Sequence, residues 1–145
     1  MSSPTTSRRY FYGKYRGKVT NNHDPLNIGR IRARVPAVFG TSEIGWALPC
    51  VPYAGDKLGF FFIPPVNSNV WIEFENGDPD YPIWAGCFWG PGEIPRTPAL
   101  ADIKIIKTKE TIITLNDIQA SGGLTIETTR GQKITMDSSG IELSN

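Results

Sequence analysis

Asp78 and Asp80 are the first residues to weigh for chemistry, because a retaining glycosidase needs two carboxyl groups about 5 Å apart, one with a raised pKa. Their setting, Gly77-Asp78-Pro79-Asp80, reads first as a turn in which Asp side chains take backbone N–H groups. His23 is the only histidine and stands in a polar run beside Asp24, so a solvent-facing or turn-bonding imidazole is expected rather than a general base. Cys50 and Cys87 each lie inside an apolar run, Leu-Pro-Cys-Val and Ala-Gly-Cys-Phe, and are expected as free, buried thiols acting as small hydrophobes. Two isolated cysteines and one histidine do not make a structural zinc site, which wants four ligands in paired short spacings. No Gly-x-Ser-x-Gly or phosphate-loop pattern occurs. The expectation is no catalytic residue, no cofactor and no metal.

The aromatic clusters Phe60-Phe61-Phe62 and residues 84–89 could act as stacking platforms for single-stranded nucleic acid. Two features count against it. Glu73, Glu75, Asp78 and Asp80 outnumber Lys57 around them, and consecutive aromatics must point to both faces of a strand. An outer face covered by protein is the economical reading, since large exposed apolar patches mark partner sites. The overall charge agrees: 15 basic against 14 acidic side chains supply no net drive toward nucleic acid or anionic membrane. Arg8, Arg9, Lys14, Arg16 and Lys18 cluster near the N-terminus, but they alternate with aromatics and read as the solvated face of a strand.

The elements that position these residues centre on 46–89, which holds all four tryptophans. Short apolar runs at 46–51, 60–63, 70–74 and 83–88 are separated by Pro64-Pro65, Asn76-Gly77-Asp78-Pro79 and Gly90-Pro91-Gly92. Strand-sized runs punctuated in this way predict an all-β unit. Upstream, 10–19 reads as the first strand and 21–29 as a turn-rich loop. Residues 30–35 then alternate with period two, placing Ile31, Ala33 and Val35 on one face and three arginines on the other. Five or six strands before Gly90 suit a small closed barrel, with the five-stranded Greek-key barrel of the oligonucleotide/oligosaccharide-binding (OB) type as the natural candidate.

Composition changes after the Pro- and Gly-rich stretch at 90–98: from Ile103 onward there are no aromatics, prolines or cysteines. Apolar-polar-apolar triplets recur instead, with apolar pairs Ile103 and Ile105, Ile113 and Leu115, Leu124 and Ile126, Ile134 and Met136, and Ile141 and Leu143. So short a segment with one thin apolar stripe cannot supply its own core. Its stripe is buried either on the chain's own barrel or against the same segment of other copies. The repeat favours the copies, whose stripes can converge on one axis as a narrow closed prism. The division expected is a loose N-terminus at 1–9, a barrel at 10–90, a linker at 91–102 and a needle at 103–145. Residues 1–7 show no signal-peptide core, and no run approaches the ~20 apolar residues of a membrane span, so synthesis and assembly in the cytosol are expected.

Four motifs taken together resemble a known family: Tyr12-Gly13-Lys14-Tyr15-Arg16-Gly17, Asp24-Pro25-Leu26-Asn27-Ile28-Gly29-Arg30-Ile31-Arg32, Trp46-Ala47-Leu48-Pro49-Cys50 and Gly77-Asp78-Pro79-Asp80-Tyr81-Pro82-Ile83-Trp84. They are similar, in order, to the baseplate assembly protein V and central-spike family of contractile phage tails. The valine-glycine-repeat spikes of type VI secretion and phage-tail-like particles use similar modules. The resemblance implies an OB barrel under a trimeric baseplate hub, followed by an intertwined three-chain β-helix that pierces membranes. It implies a homotrimer, a location in the virion tail baseplate or injection particle, and transient contact with the target envelope. Some relatives carry a lysozyme domain between barrel and needle; only 90–102 lies between them here, so no hydrolase is expected. Blunt needles of such spikes often carry a conical tip protein with Pro-Ala-Ala-Arg-type repeats, which places tip binding at Ile141, Leu143 and Asn145. The other readings are an OB module for nucleic acid or sugar, and a secretion-type spike carrying effectors.

Overall fold

Alternation of inward apolar with outward polar side chains builds the first half of the chain. A computed structural model describes residues 9–145, so the expected loose N-terminus at 1–9 falls outside the described residues except for Arg9. Strand β1 (Tyr15–Asn21) buries Gly17 and Val19 and turns Arg16 and Lys18 outward. It starts at Tyr15 rather than Tyr10, because Gly13 at φ +87° breaks the extended run. Residues 10–12 instead pass beside the turn at 75–77. The Phe11 N–H donates to the Gly77 carbonyl at 2.7 Å, and the Phe11 ring packs on Tyr15 and Phe74. Gly77 itself has φ +77°, and a Cβ there would sit 2.8 Å from the Tyr12 ring, so no larger residue fits.

Strand β2 (Arg32–Arg34) is followed by a single helical turn, α1 (Pro36–Phe39), with Pro36 at its start and Gly40 just past its end, which the period-two reading does not anticipate. Then come β3 (Leu48–Pro49), the hairpin β4 (Ala54–Gly55) and β5 (Leu58–Gly59), and the long pair β6 (Asn69–Phe74) and β7 (Pro82–Cys87). Five strands form one sheet in the order β2-β1-β6-β7-β3, with β3 parallel to β7. The sheet curls into a half-barrel. The segment of β2 and the segment leading into β3 meet through isolated bridges: Ile31 and Ala47 exchange hydrogen bonds of 3.2 and 2.8 Å, the Ile44 N–H donates to the Ala33 carbonyl at 2.9 Å, and Arg34 stands opposite Glu43. The curled five-strand sheet is consistent with the OB fold expected. Inside lie Val19, Ile31, Ala33, Val35, Ile44, Ala47, Val70, Ile72, Phe74 and Trp84, all buried. The period-two reading of 30–35 therefore places its apolar face in the core.

Residues 60–63 are not a strand. Beyond the two-residue β5 the chain runs without a ladder, and Phe60, Phe61 and Phe62 stay exposed. The neighbouring Pro64 and Pro65 lack the N–H a ladder needs.

The chain divides between Gly90 and Pro91 into two compact units. The second contains β8 (Ile103–Lys107), β9 (Thr111–Asn116), β10 (Gly123–Thr128), β11 (Lys133–Asp137) and β12 (Gly140–Ser144). They pair in sequence order as an antiparallel meander. Side chains close its turns: Thr108 Oγ1 accepts from the Thr111 N–H at 3.0 Å, Asn116 Oδ1 from Ile118 at 3.0 Å, and Asp137 Oδ1 from Ser139 at 2.8 Å. Residues 91–102 pack with this unit, since the Leu100 carbonyl accepts from the Ile103 N–H and the Asp102 carbonyl from the Asp117 N–H. No residue from 91 to 145 is buried in the single chain. A five-stranded sheet without a buried residue has no core of its own.

Candidate functional site

The register of the second sheet decides which side chains share a face, because directly opposed residues of an antiparallel ladder project to the same side. Ile106, Ile113, Ile126, Ile134 and Leu143 form one continuous row across all five strands. Lys104, Leu115, Leu124, Met136 and Ile141 form a second row beside it. Nine aliphatic side chains therefore lie on one face: six are exposed, from 43% at Ile134 to 75% at Leu143, and Ile113, Leu124 and Ile126 are half-buried. Eight of them are stripe residues named from the sequence. Ile103 and Ile105 are not with them: they oppose Asn116 and Thr114 on the other face, and Ile106 takes the stripe position. The run Ile105-Ile106 permits either register, and the tight connection at Thr108–Thr111 selects the one that sets Ile106 against Ile113. Lys104 ends the second row in an ion pair with Asp117.

The opposite face carries Thr114, Thr125, Thr135 and Glu142, with Glu127 directly across from Lys133. Small β-branched polar residues and opposed charges suit a solvated face. β12 pairs only with β11, and its five residues are all exposed. Asn145 follows it and lines, with Leu143 and Ser144, a groove over Ile126 and Ile134.

In the half-barrel, Asp24 organises the loop that begins the second resembling motif. Its carboxylate accepts from the backbone N–H groups of Leu26 (3.0 Å), Ile28 (3.0 Å) and Arg30 (3.2 Å), and from Arg30 Nε (3.0 Å) and Nη2 (2.7 Å). The Asp24 side chain is only 4% exposed, and the Arg30 guanidinium followed by these N–H donors holds its carboxyl far below the ordinary carboxylate range. Arg30 also lies over the Trp46 ring, at 5.5 Å. The ordered loop presents the Gly29 carbonyl to the buried Trp84 indole N–H at 3.0 Å. A carboxyl whose folded pKa is depressed contributes stability that is complete above its unfolded value of about 3.9 and is lost as pH falls below it. The urea midpoint of the half-barrel is therefore expected to drop between pH 5 and strong acid more steeply in the parent than in Asp24→Asn; parallel pH profiles would refute this role.

The other residues weighed for chemistry sit in turns or at the surface. Asp78 Oδ1 accepts from the Asp80 N–H at 3.0 Å, and the Asp78 carbonyl from the Tyr81 N–H, so the pair builds a turn. His23 is exposed, its N–H bonded to Asn21 Oδ1. Cys50 and Cys87 are free but exposed, contrary to the expected burial: Cys50 follows the edge strand β3, and Cys87 is the last residue of β7. Among the described residues no three His, Cys, Asp or Glu side chains gather to hold a metal ion.

The described residues thus form a curled five-strand half-barrel and a second five-stranded sheet that has no buried residue in the single chain. The model of the type VI secretion system/phage-baseplate injector OB domain matches residues 15–89, and that of the phage baseplate V C-terminal trimerisation domain matches residues 103–145. The chain belongs to this baseplate injector family, with a baseplate or spike-related structural role, and its trimerisation domain supports assembly as a homotrimer. No curated protein matches the chain.

Proposed function

We propose that this chain is the central spike of a contractile injection system, linking a trimeric baseplate hub to a piercing tip and breaching the target envelope mechanically. The observation that carries the reading is the two-row aliphatic face, exposed in the single chain and carried by a trimerisation domain. Three such faces turned toward a common axis bury Ile106, Ile113, Ile126, Ile134 and Leu143 as successive layers, with the Thr-rich faces outward. The intertwined β-helix is the closed form of that arrangement, and interchain ladders give a puncturing needle its stiffness. The work is delivered by sheath contraction, so the chain needs no catalysis, and the turn role of Asp78 and Asp80 fits that reading. The exposed Phe60, Phe61 and Phe62 supply the OB unit with an apolar surface of the kind that marks a protein interface. The site of action is the tail baseplate or the injection particle.

The C-terminal end is the seat of a tip protein. Ile141 and Leu143 are among the most exposed aliphatic residues, and β12 leaves one edge without a partner strand in the single chain. Light scattering on the purified protein should give the mass of three chains, and a stable monomer at micromolar concentration would end the spike reading. Truncation after Ser139 should leave the hub contact intact and abolish capture of a Pro-Ala-Ala-Arg-type tip; undiminished co-purification would remove the tip assignment alone.

A further inference from the structure

Arg16, Lys18 and Arg34 project from the outer face of the half-barrel with no ion-pair partner among the described residues. Their neighbours are matched: Lys14 with Glu73, Arg30 with Asp24 and Arg32 with Glu43. The unmatched cations are also adjacent. Arg16 and Lys18 alternate along β1, about 7 Å apart on one face, and Lys18 stands directly opposite Arg34 across the β1–β2 ladder. Like charges so opposed destabilise a sheet, which is the pattern of a site kept for a counter-charge. The three line a groove of about 400 Å³ with Asn67, Asn69 and Phe88.

Arg16 is held in place for such a role. Its Cζ lies 5.3 Å from the Trp71 ring centroid and 4.9 Å from that of Phe88, and the two rings are 4.6 Å apart. Stacking uses the face of a guanidinium and leaves the in-plane N–H fork for a carboxylate or phosphate, with less side-chain freedom to lose on binding. The same geometry separates the two kinds of polyanion that could enter. A single-stranded nucleic acid draws its affinity from bases stacked on open aromatic rings. Trp71 and Phe88 are half-buried, tilted against each other at 37° with Arg16 over both, an arrangement that occupies the ring surface a base would stack on. An extended peptide, whose alternate side chains recur at the spacing of Arg16 and Lys18, fits without any stacking.

We propose that the groove over β1 binds an extended acidic segment of a partner protein, with alternate carboxylates meeting Arg16 and Lys18 and a further one reaching Arg34. The inference lies wholly within the OB unit and stands or falls separately from the trimer and spike reading. The test is fluorescence anisotropy of a labelled peptide of alternating Glu and Thr against the full-length protein at low salt, with a Gln-Thr peptide and an oligothymidylate as comparison probes. The Glu-Thr peptide should bind, weaken with salt, and lose about tenfold in affinity with either Arg16→Gln or Arg34→Gln. Arg16→Lys should lose nearly as much as Arg16→Gln, because it keeps the charge without the fork. Lys14→Gln should change little. Equal binding of the Gln-Thr peptide, tighter binding of the oligothymidylate, or unchanged affinity in a folded Arg16→Gln protein would each overturn the proposal.

Discussion

Ile134→Asp is expected to convert the assembly from three chains to one, read as mass by light scattering, while the circular dichroism of the half-barrel is retained. Ile134 lies inside the first aliphatic row, between Ile126 and Leu143. Burying such a side chain is worth up to about 3 kcal/mol per chain, and three carboxylates brought together without partners add a desolvation cost of several kcal/mol each. Acid should partly restore the trimer, since a protonated Asp has no charge to desolvate. Thr135→Asp, one residue away on the opposite face, should leave the mass at three chains. The same contrast tests the register at the start of the sheet: Ile106→Asp should weaken association and Ile105→Asp should not. Equal behaviour of the two faces would show that the aliphatic rows are not the trimer contact.

The second large effect is expected at Trp84. Its side chain is 4% exposed in the core, and its indole N–H reaches the Gly29 carbonyl 55 residues away. Trp84→Ala removes the largest buried side chain of the half-barrel and should cost about 3–5 kcal/mol. For a small domain near the margin of stability that is a large part of the total. Trp84→Phe separates packing from hydrogen bonding, because it keeps most of the volume and leaves the Gly29 carbonyl unpaired, at about 1–3 kcal/mol. Chemical denaturation followed by far-ultraviolet circular dichroism measures both. A loss below ~1 kcal/mol for Trp84→Ala would mean that the loop at 24–30 is not fastened through this residue.

Much of this molecule is written in short-range patterns. Ile31, Ala33 and Val35 alternate with three arginines, and period two leaves one way to bury them. The triplets after Ile103 carry the same period with no large side chain to close a core, so the need for a burial partner beyond the segment itself is legible in the sequence. The turn roles of Asp78 and Asp80 follow equally from neighbours in sequence. What tertiary structure alone decides are the choices where sequence neighbours are degenerate or the partners are distant. Ile105 and Ile106 are chemically alike, and only the ladder to β9 determines which of them joins the aliphatic face. Phe60, Phe61 and Phe62 look like a buried strand, but their exposure depends on the absence of a pairing edge. The cysteines sit in apolar runs yet end at a sheet margin, where burial stops. Arg16, Trp71 and Phe88 meet because β1 pairs with β6, β6 with β7, and the ladder shifts register between Val70 and Ile72. Local periodicity sets which way a side chain faces, whereas what it faces is set by long-range pairing, which no window of neighbouring residues contains.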